Sequence, residues 1–127
     1  MFNQSILIWP DRDLLLTSVA IKNTSLLIKL IIRDMIATLE NTKDAIGLAA
    51  PQIGIPVRIF VLDRNICDSD YNEEDLFCEI FINPVAFYKN GSFEWQEGCL
   101  SIPGELGRMR RFYTLDIYFT DFNEKLH

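Results

Sequence analysis

Apolar side chains recur every three or four residues between Thr24 and Glu40. This period is typical of an amphipathic α-helix that packs one face against a core. The apolar row consists of Ile28, Ile31, Ile32, Met35, Ile36 and Leu39. Thr24 or Ser25 can provide the N-cap. The regular period favours a packing face over a row of ligands, so we predict a helix that packs on a sheet and holds the loop after it.

Short apolar, β-prone runs predict strands over residues 2–9, 57–62 and 77–82. The first run is closed by the turn signal Trp9-Pro10-Asp11. The second and third are mostly apolar, which is typical of buried strands. We expect Asn83-Pro84 to end the third strand.

Turn signals then predict a hairpin and a final strand. Asn90-Gly91 is typical of a type I′ turn, here between strands over residues 85–89 and 92–96. After a second turn at Pro103-Gly104, three apolar residues, Leu115, Ile117 and Phe119, alternate with Thr114, Asp116, Tyr118 and Thr120. That alternation predicts a strand with one buried face. We therefore predict an α+β fold in one domain, residues 1–127, with an amphipathic helix on an antiparallel or mixed sheet.

Composition narrows the possible partners. A chain of 127 residues can form one core without staples. Twelve basic and 18 acidic side chains give a net charge of -6, which argues against sequence-independent binding to nucleic acid or to an anionic membrane. Cys67, Cys78 and Cys99 lack the spacing of a disulfide framework, and no signal-peptide pattern opens the sequence, so we expect a reducing cytoplasm.

Acidic residues concentrate between the two predicted buried strands. They are Asp63, Asp68, Asp70, Glu73, Glu74 and Asp75. Carboxylates can bind a divalent cation, but these lack the spacing of a calcium loop. We predict a solvated loop.

Two segments carry the candidate chemistry. Glu97-Gly98-Cys99-Leu100-Ser101 presents a glycine-flanked cysteine, although a free cysteine most often behaves as a small buried hydrophobe. The loop over residues 41–56 is rich in Gly, Ala and Pro, so its backbone can pass close to a ligand, and Gln52 adds a donor amide. We predict that the two segments form one site.

These segments resemble the motifs of the peptide deformylases, which remove the formyl group from the N-terminal methionine of new bacterial or organellar chains. Gly47-Leu48-Ala49-Ala50-Pro51-Gln52 is similar to the first motif of the family, and Glu97 to Ser101 to the second. The similarity runs from Trp9-Pro10-Asp11 through Ile82-Asn83-Pro84 to Arg111. The third motif, His-Glu-x-x-His on a helix, supplies two metal ligands and a base in the family. It is absent from these 127 residues.

The resemblance implies roles near the reacting group. Cys99 matches the thiolate ligand of a divalent metal, Fe or Zn in complete family members. The Gln52 side-chain amide and the Leu100 backbone N–H match donors to the formyl oxygen. Ala45 departs from the family, which usually has a glycine there, and its methyl group is expected to narrow the substrate's approach.

The resemblance also implies a peptide cleft. The positions around the pocket for the methionine side chain match Ile46, Gly47 and Glu97. Arg111 matches an arginine that lines the cleft, where a fixed guanidinium can orient a carbonyl or a carboxylate. We interpret Arg108 and Arg110 as a solvated, charge-balancing face.

His127 is the only histidine, and no second histidine precedes it by four residues, so we do not expect it to bind metal. The resemblance then implies a deformylase-like protein without the C-terminal metal-binding helix, with no cofactor and no activity of these 127 residues by themselves. Its partner would be a formyl-methionyl peptide or a nascent chain, and uncovered apolar surface on the last strand would favour association. The alternative is an active deformylase whose C-terminal part is supplied elsewhere.

Overall fold

The computed structural model describes residues 4–66 and 78–127. Over these ranges the chain forms one α-helix, six strands and short 3-10 turns. In order, they are the turn Arg12–Leu15, α1 Leu26–Glu40, β1 Gly47–Ala49, the turn Ala50–Ile53, β2 Ile59–Asp63, the turn Arg64–Ile66, β3 Cys78–Asn90, β4 Phe93–Cys99, β5 Ile102–Arg111 and β6 Thr114–Thr120. Both sheets are antiparallel, with strand orders β1-β2-β3-β6 and β4-β5. The predicted α+β class is confirmed.

The predicted helix is confirmed, and Ser25 is its N-cap. The Ser25 hydroxyl accepts a hydrogen bond from the Ile28 N–H. The apolar face of α1 packs on the four-stranded sheet and forms the core. Its buried members are Ile32, Met35, Ile36, Leu39, Leu48, Ala50, Ile53, Ile59, Val61, Cys78, Ile80 and Ile82. Each large side chain buried in this way is worth about 1.5–3 kcal/mol, so this layer is the main source of stability.

The prediction that Asn83-Pro84 ends a strand is wrong, because β3 runs on to Asn90. The pairing with β6 shifts register between Ile82 and Val85, and Asn83 has a φ of 50°. The Asn83 side chain also accepts from the Ile21 N–H at 2.8 Å and donates to the Ile21 carbonyl at 2.6 Å. A bulge of this kind accommodates a proline, which lacks the N–H that a regular ladder needs.

The predicted hairpin at Asn90-Gly91 is also wrong. A type I′ turn needs positive φ at both central residues, but of this pair only Gly91 has it, at 61°. Strand β3 pairs instead with β6, and the chain leaves Asn90 to enter the separate β4–β5 sheet. The turn at Asn90-Gly91 is therefore a corner between two sheets.

The turn expected at Pro103-Gly104 lies elsewhere. Both residues belong to β5, and Leu100 and Ser101 connect β4 to β5. Cys99 pairs with Ile102, and the register shifts between Gly98 and Cys99. We call β4, its turn and β5 the ribbon. The turn at Leu100-Ser101 places Cys99 at the end of the ribbon.

The strand predicted over residues 2–9 is wrong for its described part, residues 4–9. Here the Leu7 N–H donates to the Gln52 carbonyl at 2.7 Å, and the Trp9 N–H donates to the Ser101 carbonyl at 2.8 Å. Because these partners belong to two different segments, no strand ladder forms. Of the acidic residues, Asp63 ends β2 and the others lie outside the described residues, as do Cys67 and Phe77.

The predicted final strand is present as β6, with part of the expected burial. Ile117 and Phe119 are partly buried, and the Phe119 ring lies 4.6 Å from the Phe81 ring. Leu115 is 51% exposed, so this residue leaves apolar surface uncovered on the last strand, as the sequence led us to expect. Among the described residues, α1 has 15 residues, and no helix there meets the length and apolarity that a membrane crossing needs.

Candidate active site

The first side of the candidate site is the segment from β1 to the turn Ala50–Ile53. A Cβ at Gly47 would lie 2.8 Å from a Leu62 methyl group and 3.3 Å from the Val61 carbonyl oxygen. A side chain there would have to displace the Leu62 methyl group and would crowd the Val61 carbonyl, so glycine favours this close approach of β1 to β2. After the strand, the turn folds the Gln52 side chain back toward the end of β1. There Gln52 Oε1 accepts a hydrogen bond from the Ala49 N–H at 2.9 Å. That hydrogen bond fixes which end of the amide faces outward.

The second side is the end of the ribbon. Gln52 Nε2 lies 3.2 Å from Ser101 Oγ and 3.8 Å from Cys99 Sγ. Cys99 is exposed, whereas Cys78 is buried in the core. Leu100 is partly buried against the core. The structure thus brings the two sequence segments together and presents one thiol beside an oriented amide.

Glu97 and Arg111, both expected to contact substrate, pair with each other. Arg111 Nε donates to Glu97 Oε2 at 3.2 Å, and a second guanidinium nitrogen contacts Glu97 Oε1. The hydrogen bond from Arg111 lowers the pKa of Glu97 despite the opposing effect of burial, and the same bond raises the pKa of Arg111. The guanidinium is therefore held in one orientation on the ribbon.

The remaining predicted residues lie at the edges of this region. Ile46 precedes β1, is 59% exposed and accepts a hydrogen bond from the Asp63 N–H at its carbonyl. Arg110 contacts Glu94 at 3.2 Å on the exposed ribbon. Arg108 is exposed opposite Gln96. Both arginines thus lie on a solvated surface.

The side chains present do not fit a complete divalent-metal site. Within residues 4–66 and 78–127, no cluster of three or more His, Cys, Asp or Glu could hold a metal ion. His127 Nε2 lies 2.8 Å from Asp121 Oδ2, and its ring stacks on Phe119. Burial raises the pKa of Asp121, but hydrogen bonds from His127 and from the N–H groups of Lys125 and Asn123 outweigh it, and the pKa is lowered. Cys99 therefore offers one ligand where a catalytic site needs three.

Sequence reasoning assigned no role to Ser101. Its hydroxyl accepts a hydrogen bond from the Gln52 side-chain amide, and its carbonyl accepts one from the Trp9 N–H. A serine two residues after a cysteine carries no sign of burial in the sequence. The available signal was its position inside the second motif.

Comparisons with known proteins agree with these motifs. A family model described as Polypeptide deformylase matches residues 3–127. The peptide deformylase of Pelagibacter ubique is 34% identical over 123 residues, which make up 96% of this chain and 68% of that protein. The peptide deformylase of Cytophaga hutchinsonii is 40% identical over 96 residues, 74% of this chain and 50% of that protein. The chain thus spans between 50% and 68% of the length of these two relatives.

The fold is shared with solved structures as well. The crystal structure of the Ehrlichia chaffeensis peptide deformylase in complex with actinonin has a TM-score of 0.86 at 28% identity. The match covers 100% of this chain and 73% of that one.

Proposed function

The chain belongs to the polypeptide deformylase family, and we propose that it forms the peptide-binding and thiolate-bearing part of a deformylase site. The observation that carries the proposal is the contact between the two motifs. Gln52 Nε2 lies 3.8 Å from Cys99 Sγ, while its Oε1 is held by the Ala49 N–H. A carbonyl oxygen placed beside Cys99 meets a donor whose direction is already set, which is the property an oxyanion-stabilising group requires.

The proposed ligand is an N-terminal formyl-methionyl peptide. Gln52 and the Leu100 N–H donate to the formyl oxygen, and Ile46, Gly47 and Glu97 border the methionine side chain. Arg111, fixed by Glu97, faces the peptide backbone or its carboxylate. The proposed compartment is the cytoplasm.

We further propose that the 127-residue polypeptide by itself releases no formate at a useful rate and retains no stoichiometric metal. In complete family members a divalent metal supplies a nucleophilic hydroxide at neutral pH. These residues contribute one thiolate toward it, and the sequence has a single histidine. The second candidate function is an active deformylase completed by a separate histidine-bearing segment. The exposed apolar side chains of the ribbon favour this function, because they offer a surface on which such a segment can pack.

Binding can be tested by titrating a formyl-Met-Ala peptide, and its unformylated counterpart, into the purified chain by calorimetry or NMR. We expect tighter binding of the formylated peptide, because only it presents an oxygen to Gln52. Gln52→Leu should weaken its binding roughly fivefold or more, the equivalent of one hydrogen bond of about 1 kcal/mol. The matched control is Gln96→Leu on the exposed ribbon, which should leave binding unchanged. Equal affinity for the two peptides would refute the binding role.

Activity is tested separately by formate release after addition of Zn²⁺ or Fe²⁺. We expect no turnover above the rate of Cys99→Ser. Turnover that depends on Cys99 would overturn the proposed inactivity and would support the second candidate function.

A further inference from the structure

Ser101 is a buried polar residue at the point where three segments meet. Its side chain and backbone together are only 4% exposed, although the ribbon that carries it is mostly exposed. Its carbonyl accepts from the Trp9 N–H, so the N-terminal segment holds its backbone. The same segment holds Gln52, because the Leu7 N–H donates to the Gln52 carbonyl.

The Gln52 amide is bonded at both of its ends. Its oxygen accepts from the Ala49 N–H at 2.9 Å, and its nitrogen donates to Ser101 Oγ at 3.2 Å. A primary amide has two N–H groups. With one of them on Ser101, the other is directed at Cys99 Sγ, 3.8 Å away.

Without Ser101, the Ala49 bond alone would hold the amide. The terminal torsion of glutamine has a broad energy profile, so one hydrogen bond to the oxygen selects which end of the amide faces Cys99 but still lets the amide plane rock. A second bond to the nitrogen removes most of that freedom. The Ala49 bond therefore sets the outward end of the amide, and the serine hydroxyl narrows the direction of the N–H that reaches Cys99.

We propose that Ser101 is a positioning residue that aims the Gln52 amide at Cys99. The proposal rests on the proposed function only in taking Gln52 as the donor to substrate. The arrangement of the three side chains is independent of whether the chain binds a formylated peptide.

The test is NMR of the ¹⁵N-labelled 127-residue chain, with the Gln52 side-chain NH₂ assigned. In the native chain we expect a nuclear Overhauser effect between a Gln52 Nε2 proton and the Cys99 Hβ protons. Ser101→Ala should abolish this effect and accelerate hydrogen exchange of the Gln52 NH₂ roughly fivefold, as loss of one hydrogen bond implies. Ser101→Thr keeps the hydroxyl and should restore both signals.

The matched control is Thr38→Ala in α1. Thr38 is also buried, and its hydroxyl accepts from the Gln4 N–H and donates to the Asp34 carbonyl. Removing it should lower overall stability and leave the Gln52 NH₂ signals unchanged. A general effect of losing any buried hydroxyl would instead appear in both alanine variants.

Two outcomes would overturn the proposal. One is a Ser101→Ala chain whose Gln52 signals match those of the native chain. The other is a Thr38→Ala chain that loses them as well. If Ser101→Thr does not fold, the comparison of Ser101→Ala with the native chain still tests the proposal. Alanine is smaller than serine and creates no steric overlap. Failure of formylated-peptide binding with the Gln52 signals intact would refute the proposed function and leave this inference standing.

Discussion

The helix-backed sheet and the ribbon use their apolar residues in opposite ways. In the sheet, Ile80 and Ile82 are almost completely buried beneath α1. In the ribbon, Trp95 and Leu106 are exposed although their two strands pair with each other. Burial stabilises the first region, whereas backbone hydrogen bonds and few tertiary contacts hold the second.

The candidate site lies where these two regions meet. Gln52 follows β1 of the sheet. In the ribbon, Cys99 is the last residue of β4 and Ser101 is the last residue of the turn. The helix-backed sheet therefore holds Gln52 in place, and a few hydrogen bonds must bring the ribbon to it. The geometry of the candidate site therefore depends on contacts that contribute little to overall stability.

The largest effect should come from a cavity in the sheet. Ile80→Ala removes a fully buried side chain and should cost about 2–5 kcal/mol in the free energy of unfolding. Leu106→Ala removes a side chain that is 71% exposed in the ribbon, and should change it by less than about 0.5 kcal/mol. Urea denaturation of both variants measures the difference. Equal losses would show that the ribbon is packed as tightly as the sheet.

A second, smaller effect should follow when the ribbon is covered. A synthetic amphipathic helix carrying His-Glu-x-x-His, added at one hundred times its dissociation constant, should stabilise the chain by about 2.7 kcal/mol. Amide exchange should slow most in β4 and β5. A helix that protects the four-stranded sheet but not the ribbon would contradict this assignment of the exposed face.

The same peptide separates covering from metal binding. With both histidines replaced by alanine, the helix should still slow exchange in the ribbon but should retain no Zn²⁺ after dialysis. Cys99→Ser in the chain should likewise abolish stoichiometric zinc in the complex, because the thiolate is the third ligand. Elemental analysis of the dialysed complexes checks both expectations.

The smallest expected effect is the loss of folding stability at low pH. The pKa values of Glu97 in the ribbon and Asp121 after β6 are both lowered in the folded chain. Each carboxylate therefore stabilises the fold above its unfolded pKa, and that contribution is lost as the pH falls below about 4 and through the folded pKa.

Salt should distinguish the two carboxylates. Glu97 and Arg111 form a solvent-accessible pair, so the pH dependence removed by Glu97→Gln should shrink in high salt. Asp121 is buried against His127, and the part removed by Asp121→Asn should persist. Thermal melts from pH 3 to pH 6 at two salt concentrations measure both. Identical salt responses would remove this distinction between the regions.

The sequence alone predicted the features that depend on local pattern. The apolar period identified α1, and alternation identified β6. The two motifs predicted that Gln52 and Cys99 lie together, and in the structure Gln52 Nε2 is 3.8 Å from Cys99 Sγ. The predictions of α1 and β6 succeed because side-chain period is a property of neighbouring residues.

Only the tertiary structure decided which strands pair and what the site residues contact. Asn90-Gly91 looked like a hairpin, yet β3 pairs with β6 and continues through a bulge at Asn83-Pro84. The burial of Ser101 also required the N-terminal segment to reach across to the end of the ribbon. A strand's alternation specifies its faces but not its partner, and burial depends on residues distant in sequence. Local sequence therefore determined the parts of this protein, and long-range contacts determined how they form a site.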